Sequence, residues 1–427
     1  MSDRVLSVFM GPDFVGTLHD TEPLLNFSYD PSWLKNPQAQ PLADNIPLQE
    51  GQIDSCFVYA FFENLLPEGE QRKLISLKYQ VSTVFGMLAH VGGDMAGSVT
   101  LFSPGEVPEK PAFQKMTWQD IDKLIHPNGI GPGEDAQEIQ SALPRQRLSI
   151  SGAQFKLLLS LAEDGAPLYP LGTTPTTHIV KPDIAYGAAK LFATAANETI
   201  VMTAAKLSGL PCANIFYQPL IKACVVERYD RVRLPDGRLK KLWQADFCQL
   251  SGKHSDIKYE HDQGPTFAQC YLLLKEKSAR QAVDLRNLLR WLFFNLYVGN
   301  NDSHAKNLAL VTTEEGLRLA PFYDLMCTRI YPGLSNNFAL SIGGEFSPGQ
   351  LRKDHIIALA ETLAIKSDYL LKIASDMAAS VNQSIPEAVE MIRPHLNHSE
   401  KRMAERLQQT IASAVKQITH RIVLAET

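Results

Sequence analysis

Residues 299–310 read GNNDSHAKNLAL. Directly before them runs WLFFNLYV (291–298), and their own end opens a second apolar run, LALV (308–311). An unpartnered buried charge costs several kcal/mol. A block of Asn, Asp, His and Lys between two apolar runs is therefore either a solvated turn or the lining of a site that uses those groups. Asp302 and Asn307 stand in the spacing D-x-x-x-x-N, that of the protein-kinase catalytic loop. The chemistry explains the spacing: the Asp accepts the proton of an attacking hydroxyl, and the Asn turns back to ligate a metal on the triphosphate. The spacing alone recurs by chance, so the rest of the chain has to support it.

Working outward, LALVTT, the turn Glu314-Glu315-Gly316 and LRLA read as a hairpin that returns the chain to Tyr323-Asp324. Asp324 would then stand beside Asp302 and Asn307 as a second oxygen donor for Mg²⁺, a hard ion. The plain alternative is a helix N-cap. Upstream, THIVKP (176–182 with its preceding Thr) is strand-like and ends at Lys181, and Glu198 opens the next helix. A strand Lys paired with a helix Glu is the kinase device for holding phosphates. A solvated edge Lys and a Glu that merely favours a helix N-terminus remain open here. Between RLSI and FKLLLSL lies Ser149-Ile150-Ser151-Gly152-Ala153-Gln154, a candidate phosphate loop whose small residues let backbone N–H groups approach an anion. With one glycine it is a poor cradle by composition.

The 427 residues are too many for one ordinary core and point to two or three units. With 45% hydrophobic and 20% charged residues the composition is that of a soluble globular protein. The net charge of -5 gives no overall drive toward nucleic acid or an anionic membrane. The six cysteines form no C-x-x-C pair and read as small buried apolar residues in a reducing compartment. The opening MSDRVLSVFMGPDFVGTLHD lacks a signal-peptide core, and no apolar run reaches the ~18 residues of a span, so a cytoplasmic protein without membrane contact is expected.

The chain reads as α+β, with a cleft expected between two lobes. Strands are expected at VLSVFM and VGTLHD around the turn Gly11-Pro12-Asp13, and a helix over CFVYAFFENLL. Gly92, Gly93 and Gly97 match no phosphate-binding motif and read as tight turns before the strand SVTLF. Residues 104–145 read as a linker with a short helix around TWQDIDKLI. A helix is expected from about Asn197 to Ser208, closed by Gly209, then a strand about KACVVERYDRV leading to the turn Leu234-Pro235-Asp236-Gly237. Beyond about residue 265 the character is helical. Gln281 to Val298 reads as a buried helix, and Met403, Leu407, Ile411, Val415, Ile418 and Ile422 form an amphipathic stripe.

With these residues in view the chain resembles the HipA family, the serine/threonine-kinase toxins of bacterial toxin–antitoxin pairs. The likeness spans nearly the whole chain, in IPLQEGQ, FFENLLPEGE, AGSVTL, RLSISGAQFK, TPTTHIVKP, Asn197-Glu198, VERYDR, QADFCQ, KYEHDQGP, NDSHAKN and PFYDL. The resemblance implies a two-lobed kinase-like fold, divided as an N-terminal subdomain (1–108), a kinase N-lobe (109–228) and a helical C-lobe (229–427). It implies Asp302 as catalytic base, His304 and Lys306 as support for its loop, and Asn307 and Asp324 as Mg²⁺ ligands. ATP would be held by Ser151, Gly152, Ala153, Gln154, Lys181 and Glu198, with backbone groups at Glu227 and Tyr229 on adenine. Family members phosphorylate a serine of their own phosphate loop, here Ser149 or Ser151, and charge added in a loop built for ATP phosphates should silence the enzyme. The substrate implied is a tRNA ligase, with glutamate–tRNA ligase as the best expectation. The partner implied is a helix-turn-helix antitoxin (HipB-like), and through it operator DNA. Two other readings stand beside the kinase toxin: a non-catalytic pseudokinase that acts as co-repressor with its DNA-binding partner, and a small-molecule kinase on the same scaffold.

Overall fold

The structure is a computed structural model that describes residues 4–21, 24–54, 56–126, 155–184 and 191–424. The chain divides into two compact units: Met1–Lys181 with Glu227–Ile257 and Ala309–Thr313, and Pro182–Val226 with Lys258–Leu308 and Glu314–Thr427.

The first unit opens with a five-stranded antiparallel sheet. Its order is Gln52–Asp54, Leu24–Tyr29, Asp13–Thr21, Val5–Met10 and Val99–Phe102. Alternation sets the inner face: Leu6 and Val8 are buried while Val5 and Ser7 are partly exposed. The helix Cys56–Glu63 lies on Leu24–Tyr29, with Phe62 against Phe27 at 6.0 Å between ring centres. It is shorter than the run CFVYAFFENLL suggested, because the Asn64 side chain donates to the carbonyls of Ala60 and Lys253 and ends it. The expected turns do precede the strand: Gly97 has φ +77.

Further strands of this unit pair antiparallel as Ala112–Lys115 with Pro167–Leu171, the latter with Leu157–Leu161, and that with His178–Pro182. Ala112–Lys115 lies where only linker and a helix were expected. The helix is there too, Trp118–Ile125, with a Thr117/Asp120 capping box.

Residues 227–257 belong to this first unit. The strand expected over KACVVERYDRV stops at Glu227, and the chain resumes as the hairpin Arg231–Arg233 and Leu239–Lys241. The interruption has a physical cause: Arg228, Asp230 and Arg231 are committed to a buried charge cluster. Asp94 accepts from Arg228 (3.2 Å), Arg231 (2.9 Å) and Thr176 Oγ1 (2.6 Å), with Lys241 Nζ at 3.7 Å. Asp230 accepts from both arginines and from the Gly97 N–H at 2.6 Å. Burial pushes the Asp94 carboxyl up, but Arg228, Arg231 and Lys241 outweigh it and hold the group well below the usual carboxylate range. Gly252 has φ +65, and a Cβ there would sit 2.4 Å from the Phe57 ring, so this close approach needs glycine.

The second unit is mainly helical. Ser367–Ile392 packs against Thr194–Leu207, Gln281–Val298 and His398–Thr419. Met403, Leu407, Ile411, Val415 and Ile418 are buried as their spacing predicts; Ile422 is buried too, but in a π-turn at His420–Leu424. Thr194–Leu207 starts three residues earlier than expected, because Asp183 supplies a cap from outside, accepting from the Ala195 N–H at 2.9 Å. Cys224, Cys248, Cys270 and Cys327 are buried free thiols as expected; Cys212 is partly exposed and Cys56 is exposed, so the buried reading fails for these two. Among the described residues no helix is long and apolar enough to cross a membrane.

Candidate active site

The helix Gln281–Val298 forms because apolar side chains recur all round its second half: Leu288, Leu289, Trp291, Leu292, Phe293 and Phe294 are all buried. It ends at Gly299 in the left-handed region (φ +74), where a Cβ would meet the Arg329 side chain at 3.0 Å. The polar stretch then begins and is tied down residue by residue. Asn300 Nδ2 donates to Asn295 Oδ1 (2.8 Å). The Asn301 N–H donates to Thr328 Oγ1 (2.8 Å), which itself donates to the Gly299 carbonyl (3.1 Å). Asn301 Nδ2 donates to the Ser335 carbonyl (2.8 Å).

Within this frame Asp302 and Asn307 meet. Asn307 Nδ2 donates to the Asp302 carbonyl at 3.0 Å, and the His304 N–H donates to the same oxygen at 3.0 Å. A one-turn 3-10 helix, Ala305–Asn307, supplies the curvature. The Asp302 side chain is 56% exposed, whereas His304, Lys306 and Asn307 are buried. His304 Nε2 lies 3.9 Å from Asp302 Oδ1. The Tyr259 hydroxyl donates to that oxygen at 2.5 Å, and its ring meets His304 edge-on at 5.1 Å.

The return of the chain is seen in Tyr323, whose hydroxyl donates to the Lys306 carbonyl at 2.6 Å. The next residue, Asp324, has φ +60. It caps no helix: the following one-turn helix, Thr328–Ile330, is preceded by Cys327. A non-glycine residue in the left-handed region is held there by its surroundings, and such strain gathers at functional sites. The segment that follows is fixed by Asn197, fully buried, whose side chain receives the Cys327 N–H at 2.9 Å and donates to the Cys327 carbonyl at 2.9 Å. Asn197 also donates to Tyr331 Oη at 3.1 Å.

Glu198, next to Asn197, is 2% exposed, and Lys181 is 4% exposed, which excludes the solvated-edge reading of Lys181. Lys181, Glu227 and Tyr229 fall in the first unit, Glu198 in the second. Glu227 is exposed and Tyr229 half-buried, with its hydroxyl on Gln244. Ser149, Ser151, Gly152, Ala153 and Gln154 lie outside the described residues. Tyr259, Thr328 and Asn301 were not singled out by the spacing argument. Tyr259 lies in KYEHDQGP, one of the stretches that carried the resemblance, and that was the available signal.

Residues 148–385 match the family model for the HipA-like C-terminal domain, and residues 6–102 that for the HipA N-terminal domain. The chain belongs to the HipA family. Relatives agree along its length. Y4mE of Sinorhizobium fredii is 33% identical over 402 residues, covering 91% of this chain and 93% of its own. The serine/threonine-protein kinase toxin HipA of Shewanella oneidensis is 29% identical over 371 residues, covering 83% of this chain and 82% of its own. The fold is that of HipA, α+β and kinase-like: it matches a chain of the solved complex of Shewanella oneidensis HipA, HipB and operator DNA with a TM-score of 0.82, at 25% identity, over 99% of this chain and 100% of that one.

Proposed function

We propose that this HipA-family chain is an ATP-dependent serine/threonine-protein kinase that acts as a toxin. The observation that carries the reading is the closed loop at Asp302, with an exposed carboxylate held from one side while Asn307 bonds back to its carbonyl. Asp302 is the general base: it takes the proton of an acceptor hydroxyl as that oxygen attacks the γ-phosphorus of ATP. His304 packs beside it, and Lys306 fixes the loop through its carbonyl. In this reading Lys181 holds ATP phosphates, and backbone groups at Glu227 and Tyr229 take adenine.

Asn307 and Asp324 are the residues that would hold Mg²⁺. The donor set fits a hard cation, because the Asn307 amide nitrogen is committed to the Asp302 carbonyl and leaves its oxygen as the donor, and Asp324 adds a carboxylate. When bound, the ion neutralises charge on the phosphates.

The acceptor in this reading is a serine of a tRNA ligase, glutamate–tRNA ligase first, whose modification halts translation and growth in the cytoplasm. Phosphorylation of Ser149 or Ser151 switches the enzyme off, and a helix-turn-helix antitoxin of the HipB type neutralises it and lends it operator DNA. Support for the partner comes from the solved HipA–HipB–DNA complex, and for the chemistry from the name of the Shewanella relative.

The test is incubation of the purified chain with γ-labelled Mg-ATP, phosphate mapped by mass spectrometry, beside Asp302→Asn. Loss of the general base lowers transfer by about 10²–10⁴-fold while ATP binding is kept. Equal phosphate in both proteins removes Asp302 as the base, and none in a wild type that starts unphosphorylated and binds ATP sinks the reading in favour of the co-repressor.

A further inference from the structure

The candidate base has a weakness that its surroundings answer. Asp302 is more than half exposed, and an exposed carboxylate rotates freely unless something holds it. Productive geometry tolerates misplacement of only about half an ångström. The Tyr259 hydroxyl reaches the carboxylate, 2.5 Å from Oδ1.

Tyr259 is itself held in place, largely by contacts outside the loop. Its carbonyl accepts from the N–H groups of Asp262 (3.1 Å) and Gly264 (2.9 Å), closing a tight turn through Gln263 at φ +68. The neighbouring Glu260 carboxylate accepts from the Ser341 N–H (2.8 Å) and Ser341 Oγ (2.6 Å), which anchors the turn to residues 339–341. The ring stands edge-on to His304 at 5.1 Å, and His261 stacks on it at 5.4 Å. A phenol on a rigid turn, aimed at an exposed carboxylate, is set before any substrate arrives.

We infer that Tyr259 is a positioning residue that locks the Asp302 carboxylate in its working rotamer through the phenol hydroxyl. The inference rests on the kinase reading. In the step it serves, the acceptor O–H gives its proton to Asp302, the acceptor oxygen forms the new O–P bond, and the bond from the γ-phosphorus to the bridging oxygen breaks, with ADP leaving on the electron pair. Tyr259 neither gains nor loses a proton in that balance. Its hydroxyl decides where the accepting oxygen of Asp302 points.

Tyr259→Phe removes one oxygen and keeps the ring with its packing on His304 and His261. Steady-state kinetics follow the total γ-phosphate leaving ATP, to protein or water, and titration with a fluorescent ATP analogue reads nucleotide binding. The expected result is a kcat lowered about tenfold or more, with the KM for ATP and the affinity for the analogue unchanged. Glu260→Gln, which loosens the anchor and keeps the hydroxyl, should give a smaller loss of kcat with the same unchanged KM. A Tyr259→Phe protein with wild-type kcat overturns the inference. So does a faster one, which would mean that the hydroxyl occupies the acceptor's place. Equal changes in kcat, KM and melting temperature would assign Tyr259 a merely structural role and also overturn it. A wild type that binds the analogue and releases no phosphate is a different failure, that of the kinase reading, and the inference falls with it.

Discussion

Asp183 shows how a single residue can set a cost as well as a structure. It caps the helix that carries Asn197 and Glu198, accepting from the Ala195 N–H, yet burial pushes its carboxyl up to about 6 from 3.8, with Glu400 adding to the shift. A folded-state value above the ordinary one means that the folded protein takes up the proton more readily. The stability this gives is complete below about pH 4 and is lost as pH rises through 6, by up to roughly 3 kcal/mol. Asp183→Asn keeps the accepting oxygen and loses the charge. Denaturant titrations should therefore find it more stable than wild type at pH 7.5 and indistinguishable at pH 4; a variant less stable at both would refute this. The closed loop that joins Asp302 to Asn307 was legible at this scale because both residues lie within one short local spacing. Tyr259 was not, since it reaches Asp302 across 43 residues and no periodicity encodes that contact.

At the level of elements, the pattern of apolar residues sufficed where one face or all faces are buried. Gln281–Val298 and the stripe of His398–Thr419 are of this kind. It failed for Ala112–Lys115, whose four residues are all exposed, so no alternation marks the strand. It also ran a strand through Arg228–Asp230, because arginine and aspartate carry no signal of the partners they will find. The join between the helix Thr194–Leu207 and the segment after Asp324 rests on Asn197, which satisfies both the N–H and the C=O of Cys327. Asn197→Ala leaves two buried backbone groups unpaired at about 1–3 kcal/mol each. Chemical denaturation should show a loss of about 2–6 kcal/mol, roughly additive over the two groups. A loss under 1 kcal/mol would show that the segment relaxes onto other partners.

For the molecule as a whole, sequence order hides which segments fold together. Residues 227–257 and 309–313 fold with the first 181, and the Asp94 cluster is part of what ties residues 227–257 to them. Removing one partner from a buried ion pair strands the others without countercharge. Asp94→Ala should accordingly cost about 3–5 kcal/mol in equilibrium unfolding, far more than removal of an exposed pair such as Lys372 with Asp376. Similar small losses for both would mean that water reaches the cluster.

The same tie has a consequence for the order of synthesis. Asp94 leaves the ribosome 134 residues before Arg228. At about 5–20 residues per second, its countercharges arrive on the order of ten seconds later. During that interval Asp94 stands without its countercharges, and the cluster closes only when the hairpin ending at Lys241 has emerged. Translation speed between residues 94 and 241 therefore sets how long this uncompensated carboxylate is exposed to chaperones, proteases and other nascent chains.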